Sequence, residues 1–154
     1  MSKVWRAGAD EVDAVAQLLI EFRDHLDHSW PADDSFRDSV ARLIVHEDTE
    51  YWLAAADEHS SPAAVCQLRF RHSVWTGVDD CWLEDLFVCD DARRRGLARA
   101  LVERVMDRAR ERGCRRIELD TNEDNLGAIT LYEGLGFSGA SKGGSRGLLF
   151  GAKL

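Results

Sequence analysis

Three arginines and a glycine stand between a strand-like run and an amphipathic helix in the middle of this chain, and a fourth arginine lies in the first turn of that helix. The basic residues are Arg93, Arg94, Arg95 and Arg99, with Gly96 among them. The run before them is aromatic and β-branched, and the apolar residues after them recur at helical spacing. A helix that starts here presents unpaired N–H groups at the positive end of its dipole. These features predict a phosphate-binding loop.

A second pattern follows a short strand-like run at residues 115–120. It reads Asn125-x-x-Ala128-x-x-Leu131-Tyr132-x-x-x-Gly136-Phe137. An asparagine ahead of a helix is by default an N-cap, and a buried tyrosine is by default a core residue with a bonded hydroxyl. The two patterns in this order are far more specific than either one alone.

Together the two patterns resemble the GNAT acetyltransferase superfamily. Its acetyl-CoA site combines an arginine/glutamine-x-x-glycine-x-glycine/alanine loop with a later asparagine and a tyrosine that faces the thioester sulfur. Residues 83–88, with Trp75-x-Gly77 ahead of them, are similar to the diamine and thialysine acetyltransferase branch. Two departures are visible, since Asp90 and Asp91 stand where a proline is usual and Ala98 replaces the commoner glycine. The resemblance implies acetyl-CoA as cofactor and no metal.

The resemblance also implies which residues hold the cofactor. They are Leu86, Phe87, Val88, Arg93, Arg94, Arg95, Gly96, Leu97, Ala98, Arg99, Asn125 and Ala128. Backbone groups of residues 86–88 are expected to pair with the pantetheine arm as if it were a strand, in a gap between two splayed strands. The N–H of Val88 is expected to polarise the acetyl carbonyl, and Tyr132, with a reference pKa of about 10, to protonate or hydrogen-bond the departing sulfur.

Two carboxylates interrupt the apolar strand before the arginine loop. Burying the charges of Glu84 and Asp85 in such a strand costs free energy unless water, a partner residue or a substrate contacts them. Strand alternation predicts that they point to opposite faces. Glu84 matches the acid that contacts the amine in the diamine branch, so we expect it to bind the acceptor and remove its proton through water; Asp85 either shares in acceptor binding or pairs with an arginine. Trp30 and Trp75 are expected to line the acceptor cleft, although tryptophans are core residues by default.

The charge distribution favours an anionic cofactor and a cationic acceptor. The chain of 154 residues carries a net charge of −8, which argues against general nucleic-acid binding. Residues 10–50 hold three arginines against twelve acidic residues, whereas residues 93–116 hold ten arginines against three. Solvated helix faces with i,i+4 pairs would give the same asymmetry.

The length suits a single domain over residues 1–154. No run approaches the roughly 20 apolar residues of a membrane span, and the start lacks the apolar region of a secretory signal. We therefore expect no membrane partner and a cytoplasmic protein. The resemblance favours a homodimer.

The order of elements predicts a mixed α+β fold with a largely antiparallel sheet, one pair of splayed parallel strands and flanking helices. Strands are expected at residues 4–7, 51–57, 63–72, 81–88 and 115–120, with a closing hairpin of residues 137–140 and 148–154. Helices are expected from Asp10 to Leu26, from Asp33 to Ile44, from Leu97 to a C-terminal stop at Gly113, and around Ala128 to Leu135. The segment 81–120 should form a right-handed parallel crossover.

These observations predict an N-acetyltransferase that moves acetyl from acetyl-CoA to a primary amine of a small molecule, by direct attack in a ternary complex. A polyamine, an amino acid or an aminoglycoside-like compound fits the acidic half of the chain. Two alternatives stay open at this point. One is a protein acetyltransferase that modifies a lysine or an N-terminal amine, and the other is a non-catalytic module that senses CoA.

Overall fold

The computed structural model describes residues 1–139 and 143–154, and the chain divides into two compact units, Met1–Leu119 and Asp120–Leu154. The first unit contains β1 (Lys3–Arg6), α1 (Val12–His25), α2 (Asp33–Leu43), β2 (Thr49–Ala55), β3 (Ala64–His72), β4 (Asp79–Val88), α3 (Leu97–Glu111) and β5 (Ile117–Glu118). The second unit contains α4 (Leu126–Gly134). None of the described helices is long and apolar enough to cross a bilayer.

The five strands form one sheet in the order in which they occur along the chain. β1 to β4 are antiparallel neighbours, and β4 pairs with β5 in parallel through α3. The predicted mixed α+β fold is therefore confirmed, including the parallel pair that follows the arginine loop. A parallel pair needs a crossover, and α3 provides it.

The sheet of the first unit is covered on both faces. One face packs on α1 and α2 around Val15, Leu19 and Leu53, all of which are buried. Side chains alternate along β2, so Glu50 and Trp52 point to the other face, where they contact arginines of α3. Leu97, Leu101 and Val105 of α3 are buried at the spacing that the sequence predicted.

Glu50 anchors the C-terminal half of α3 to the sheet. Its side chain is 0% exposed and accepts hydrogen bonds from Arg108 at 2.7 and 3.1 Å and from the Trp52 indole N–H at 3.0 Å. Arg6 and Arg112 lie 3.3 and 3.5 Å away. Burial alone raises the pKa of a carboxyl, but the bonds from Arg108 and Trp52 outweigh it and leave the pKa of Glu50 below its usual value.

Two sequence expectations need correction. The strand predicted at residues 115–120 is only two residues long, Ile117–Glu118, because β5 stays beside β4 for two residue pairs. The predicted closing hairpin is wrong for the residues that the structure describes, since 137–139 and 148–154 contain no strand. Ala140 lies outside the described residues.

Candidate active site

β4 contains a bulge near its C-terminal end. Glu84 lies opposite Gln67 of β3, and Phe87 lies opposite Val65. Between these two pairs β4 therefore contains one residue more than β3. Asp85, inside this interval, has a φ of +57°. That left-handed conformation is tolerated by aspartate better than by most side chains. The bulge interrupts the strand between the two parts of the predicted site.

The bulge sets the direction of the backbone at Val88. The N–H of Cys89 donates to the carbonyl of Ala63 at 2.9 Å, so residue 89 faces β3. Alternation then turns Phe87 toward β3 as well and turns Leu86 and Val88 the other way. The edge of β4 that faces away from β3 is not covered by β5 there, because β5 pairs with β4 only as far as Trp82.

The open edge is the splay between parallel strands that the resemblance implied. Leu86 and Val88 direct their backbone groups to this edge, which is the orientation that pairing with an extended ligand requires. Phe87, expected to share this role, directs its backbone to β3 instead, and its ring packs on Phe22 of α1 with centroids 5.2 Å apart.

The arginine loop and the start of α3 form a cradle of backbone N–H groups. Gly96 precedes the helix with a φ of +76°, and nothing lies within 4 Å of where its Cβ would be. Arg94 also has a positive φ, of +61°. The first intrahelical bond runs from the N–H of Ala100 to the carbonyl of Gly96, at 2.9 Å. The N–H groups of residues 97–99 precede that bond, so they have no partner within the helix.

The arginines of the loop differ in what they contact. Arg93 donates to the carbonyl of Val88 at 3.1 Å, pairs with Asp90 at 3.0 Å and lies 3.2 Å from Nε2 of His25. It therefore ties the end of β4 to α1 and to the loop itself. The same guanidinium was expected to contact phosphate, and the structure instead engages it within the protein.

The neighbouring arginines are more available. Arg99 forms an i,i+4 pair with Glu103 at 3.0 Å, with both side chains about half exposed. Arg94 and Arg95 are exposed, and no ion pair is found for them among the described residues. These two are the cations best placed to meet an anionic ligand at the cradle.

A cavity of about 190 Å³ lies between α1, the α1–α2 loop and β4. Its lining includes Leu19 and Phe22 of α1, Trp30 of the loop, Phe36 of α2 and Asp85 of the bulge. Trp30 thus lies at a cleft beside the bulge. The contributions of Phe22 and Phe36 were missed, because both belong to apolar helix patterns that are indistinguishable from core patterns in the sequence.

The negative charges of Glu84 and Asp85 both affect the pKa of Tyr51, which is buried under α1 and α2. Burial first, and then the negative charge of Asp85, raises the pKa of the Tyr51 hydroxyl; Glu84 adds to the effect. The alternation argument that placed the two carboxylates on opposite faces does not apply, because the bulge intervenes and Asp85 lines the cavity with α1.

Trp75 lies in the turn between β3 and β4 and is 95% exposed. It is not among the residues that line the cavity beside Asp85. A second, acidic cleft of about 470 Å³ lies between α1 and the end of β4, with Glu21, Asp24 and Asp90 among its lining. Among the described residues, no group of three or more histidines, cysteines or acids is arranged to hold a metal ion.

The second pattern of the sequence lies in the second unit. Asn125 caps α4, and its side-chain oxygen accepts from the N–H of Ala128 at 3.4 Å. Tyr132 is buried on α4, and its ring lies 5.7 Å from that of Phe137. The default role of Asn125 as an N-cap is therefore realised, and this role is compatible with contact to a ligand.

The matching family model is described as Acetyltransferase (GNAT) family and covers residues 13–137. An aminoglycoside N(6')-acetyltransferase type 1 of Salmonella typhimurium is 28% identical over 127 residues, which are 75% of this chain and 86% of that protein. A [ribosomal protein bS18]-alanine N-acetyltransferase of Escherichia coli is 39% identical over 64 residues, 42% of this chain and 43% of that protein. That match spans less than half of the relative's length.

Solved structures share the fold over the whole chain. A putative acetyltransferase from Arthrobacter sp. FB24 superposes with a TM-score of 0.87 at 25% identity, covering 99% of this chain and 95% of that one. An aminoglycoside acetyltransferase from an uncultured soil metagenomic sample superposes with a TM-score of 0.78 at 22% identity, covering 100% and 99%. The second likeness concerns the fold alone.

Proposed function

This chain belongs to the acetyltransferase (GNAT) family and is therefore an acyltransferase, and we propose that it transfers acetyl from acetyl-CoA to the primary amine of a small molecule. The observation that carries the proposal is the pairing, within one compact unit, of the open β4 edge at Val88 with the N–H cradle at Gly96. An extended arm with a diphosphate at one end needs both features.

The residues present fit such a donor. The positive φ of Gly96 and the empty space around it let the backbone approach an anion closely. Arg94 and Arg95 supply exposed positive charge beside the cradle. Backbone groups of Leu86 and Val88 are available to the amides of an extended arm.

Acetyl-CoA supplies a thioester, whose C–S bond breaks as the amine nitrogen forms a C–N bond with the carbonyl carbon. The N–H of Val88 polarises the carbonyl oxygen at the open edge. Glu84 accepts the proton that the ammonium group must lose before it can attack, with water as the relay. Asp85 holds the ammonium group in the adjoining cavity. Tyr132 donates a proton to the departing thiolate, a role proposed from the sequence pattern around it.

Calorimetry with CoA and acetyl-CoA tests the cofactor half of the proposal, and absence of binding to folded protein would refute it. Thiol release with a panel of amines tests the catalytic half. Tyr132→Phe should retain acetyl-CoA affinity and lose turnover by roughly 10²-fold, the usual contribution of a positioned acid. A protein that binds acetyl-CoA but acetylates no amine or peptide would instead be a CoA sensor.

A second candidate function is protein acetylation, favoured by the similarity to relatives named as [ribosomal protein bS18]-alanine N-acetyltransferases. Peptides with free N-terminal amines, compared with small amines at equal concentration, separate the two. Homodimer formation stays a prediction that light scattering on the purified protein would check.

A further inference from the structure

We propose that the acceptor is a free α-amino acid, whose ammonium group lies at Glu84 and Asp85 and whose carboxylate lies at Arg69. This inference rests on the proposed function and narrows its acceptor to one chemical class. The relative named as an aminoglycoside acetyltransferase would lead to a different expectation, since aminoglycosides are polycations. The argument comes from the charges that strand pairing brings to one face of the sheet.

Strand pairing places Arg69 beside Glu84. Gln67 of β3 lies opposite Glu84 of β4, and Arg69 lies opposite Trp82. Directly opposite residues share a face, so Arg69 and Glu84 are diagonal neighbours, about 7–8 Å apart at the backbone and within reach of long side chains. Tyr51 of β2 lies opposite Gln67 and packs in the core with α1 and α2. The face that carries Arg69 and Glu84 is therefore the one on which α1 and α2 lie.

The Tyr51 hydroxyl gives further evidence that these charges lie close together. Burial is the largest cause of its raised pKa, and three charged side chains also affect it. Asp85 raises this pKa, Arg69 lowers it and Glu84 raises it. Two anions and one cation thus lie within electrostatic range of a single group on this face.

Arg69 is a cation that the protein leaves available. It is exposed, and no ion pair is found for it among residues 1–139 and 143–154. By contrast, Arg108 and Arg112 on the other face of the sheet both pair with Glu50. An available guanidinium beside the proposed amine site repels a second ammonium group and attracts a carboxylate, which it can bind through two N–H groups. A carboxylate on the acceptor is therefore favoured over a second amine.

Polar side chains are also buried in the two rows of residues that contain Glu84 and Arg69. Among the described residues the buried polar side chains are Thr49, Glu50 and Gln67, and Glu50 binds the arginines of α3. Gln67 is opposite Glu84, and Thr49 is opposite Arg69. Oγ1 of Thr49 has no hydrogen-bond partner in the part of the chain that the structure describes. Burying polar groups costs free energy, so this part of the face is built for charged and polar contacts rather than for an apolar core.

The spacing suits an α-amino acid. Charge-assisted hydrogen bonds are about 2.7–2.9 Å long. One carbon separates the two charged groups of the acceptor, so a single molecule with such a bond at each end can bridge diagonal neighbours on a sheet. The amine then lies on β4, the strand whose open edge at Val88 is proposed to hold the thioester carbonyl. The acceptor carboxylate at Arg69 takes no part in the transfer, in which the C–S bond breaks, the C–N bond forms and Glu84 takes the ammonium proton.

The test compares amino acids with their α-amides on the full chain. The common amino acids and their amides are assayed by thiol release from acetyl-CoA, together with spermidine, an aminoglycoside and a tripeptide. An amide keeps the amine and the side chain and removes the anion. We expect the best free amino acid to exceed its own amide in kcat/KM by at least about tenfold, the factor that one hydrogen bond between charged groups supplies. The amide has the less basic amine, so ease of deprotonation would favour the opposite order.

Two results of this comparison would overturn the inference. One is an amide that is as good an acceptor as its free amino acid, or better. The other is a higher kcat/KM for spermidine, the aminoglycoside or the tripeptide than for every free amino acid.

Variants identify the cation. Arg69→Met should raise the KM for the amino acid by about tenfold and leave the KM values for its amide and for acetyl-CoA unchanged. Arg69→Lys should restore part of the affinity, because it returns the charge without the planar pair of donors. Arg71→Met is the matched control, since Arg71 is exposed on the same strand and face but lies opposite Asp80, further from Glu84, and it should change nothing. An equal loss for amino acid and amide in Arg69→Met, or an equal effect of Arg71→Met, would refute the placement.

The failure of the two proposals can be told apart. If acetyl-CoA does not bind, or no amine releases thiol, the proposed function fails and this inference fails with it. If acetyl-CoA binds and spermidine, the aminoglycoside or the tripeptide is the preferred acceptor, the proposed function or its protein-directed alternative stands and the inference about Arg69 is wrong.

Discussion

Replacing Glu50 by glutamine removes the anion between three guanidinium groups while keeping the volume of the side chain. Glu50 is 0% exposed, and its partners Arg108, Arg112 and Arg6 are 25%, 22% and 47% exposed. Removing one member of a fully buried ion pair costs about 3–5 kcal/mol. Because the arginines left behind can recover part of their hydration, we expect the lower end, about 3 kcal/mol.

The assay is thermal unfolding followed by circular dichroism. For a chain of this size, 1 kcal/mol corresponds to about 2–4 °C in Tm, so Glu50→Gln should lower Tm by about 6–12 °C at pH 7. The acetyl-CoA affinity of the folded variant should change little, since Glu50 holds the C-terminal half of α3 and the cradle is at the other end.

The effect should also depend on pH. The pKa of Glu50 is lowered in the folded state, so its charge stabilises the fold above the unfolded value of about 4.3 and this stability is lost as the pH falls through the folded pKa. The difference in Tm between parent and variant should therefore be full above about pH 5 and shrink below about pH 4.

Asp107→Asn is the matched control, because Asp107 pairs with Arg110 on the same helix with both side chains about 65% exposed. It should cost less than about 1 kcal/mol, as exposed pairs do. If Glu50→Gln were as mild as this control, or if its effect were constant from pH 7 to pH 3, the proposed anchoring of α3 would be wrong.

Further predictions concern the loop and its surroundings. Gly96→Ala should destabilise the protein by about 1–2 kcal/mol in denaturant unfolding, because its φ is +76°, and should weaken acetyl-CoA binding in calorimetry. Arg94→Met should raise the KM for acetyl-CoA, whereas Arg93→Met should mainly lower kcat, because Arg93 holds the end of β4. A lower kcat for Arg94→Met with a higher KM for Arg93→Met would contradict these roles. Burial and the bond to Glu21 raise the pKa of Cys89 to about 12, so Cys89 should react slowly with iodoacetamide at pH 8, and Glu21→Gln should speed that reaction in a mass-spectrometric assay.

The elements around the arginine loop could be predicted because local signals agree there. The strand ends at Val88, α3 begins at Leu97, and Gly113, with a φ of +79°, follows the helix end as a C′ residue should. The hydrophobic period, the positions of the glycines and the basic charge all favour a strand, a loop and a helix in this segment. Consistency among independent signals is what makes a local prediction reliable.

The bulge could not be predicted, since nothing in the residue types around Asp85 distinguishes it from a regular strand. Its position depends on pairing with β3, and pairing is a long-range property that a single sequence does not display. The lining of the cavity beside Asp85 was partly missed for a related reason. Phe22 and Phe36 have the spacing of core residues, and only tertiary contacts reveal which core residues border a cleft.

The prediction of a C-terminal hairpin was wrong for a different reason. Leu148, Leu149 and Phe150 resemble a short buried strand, yet each is at least 70% exposed and without strand pairing among the described residues. Apolar composition indicates that a segment gains from burial, but it does not supply a partner strand.

The extra residue in β4 also bears on how such a site is gained or lost during evolution. Glu84 and Phe87 share a face although they are three positions apart, so deleting Asp85 would leave them at the ordinary two-residue spacing of a strand. The hydrophobic pattern on both sides of the sheet would survive the deletion. A single codon inserted into an unremarkable strand is therefore enough to introduce a carboxylate and a kink, with no change required in the rest of the core.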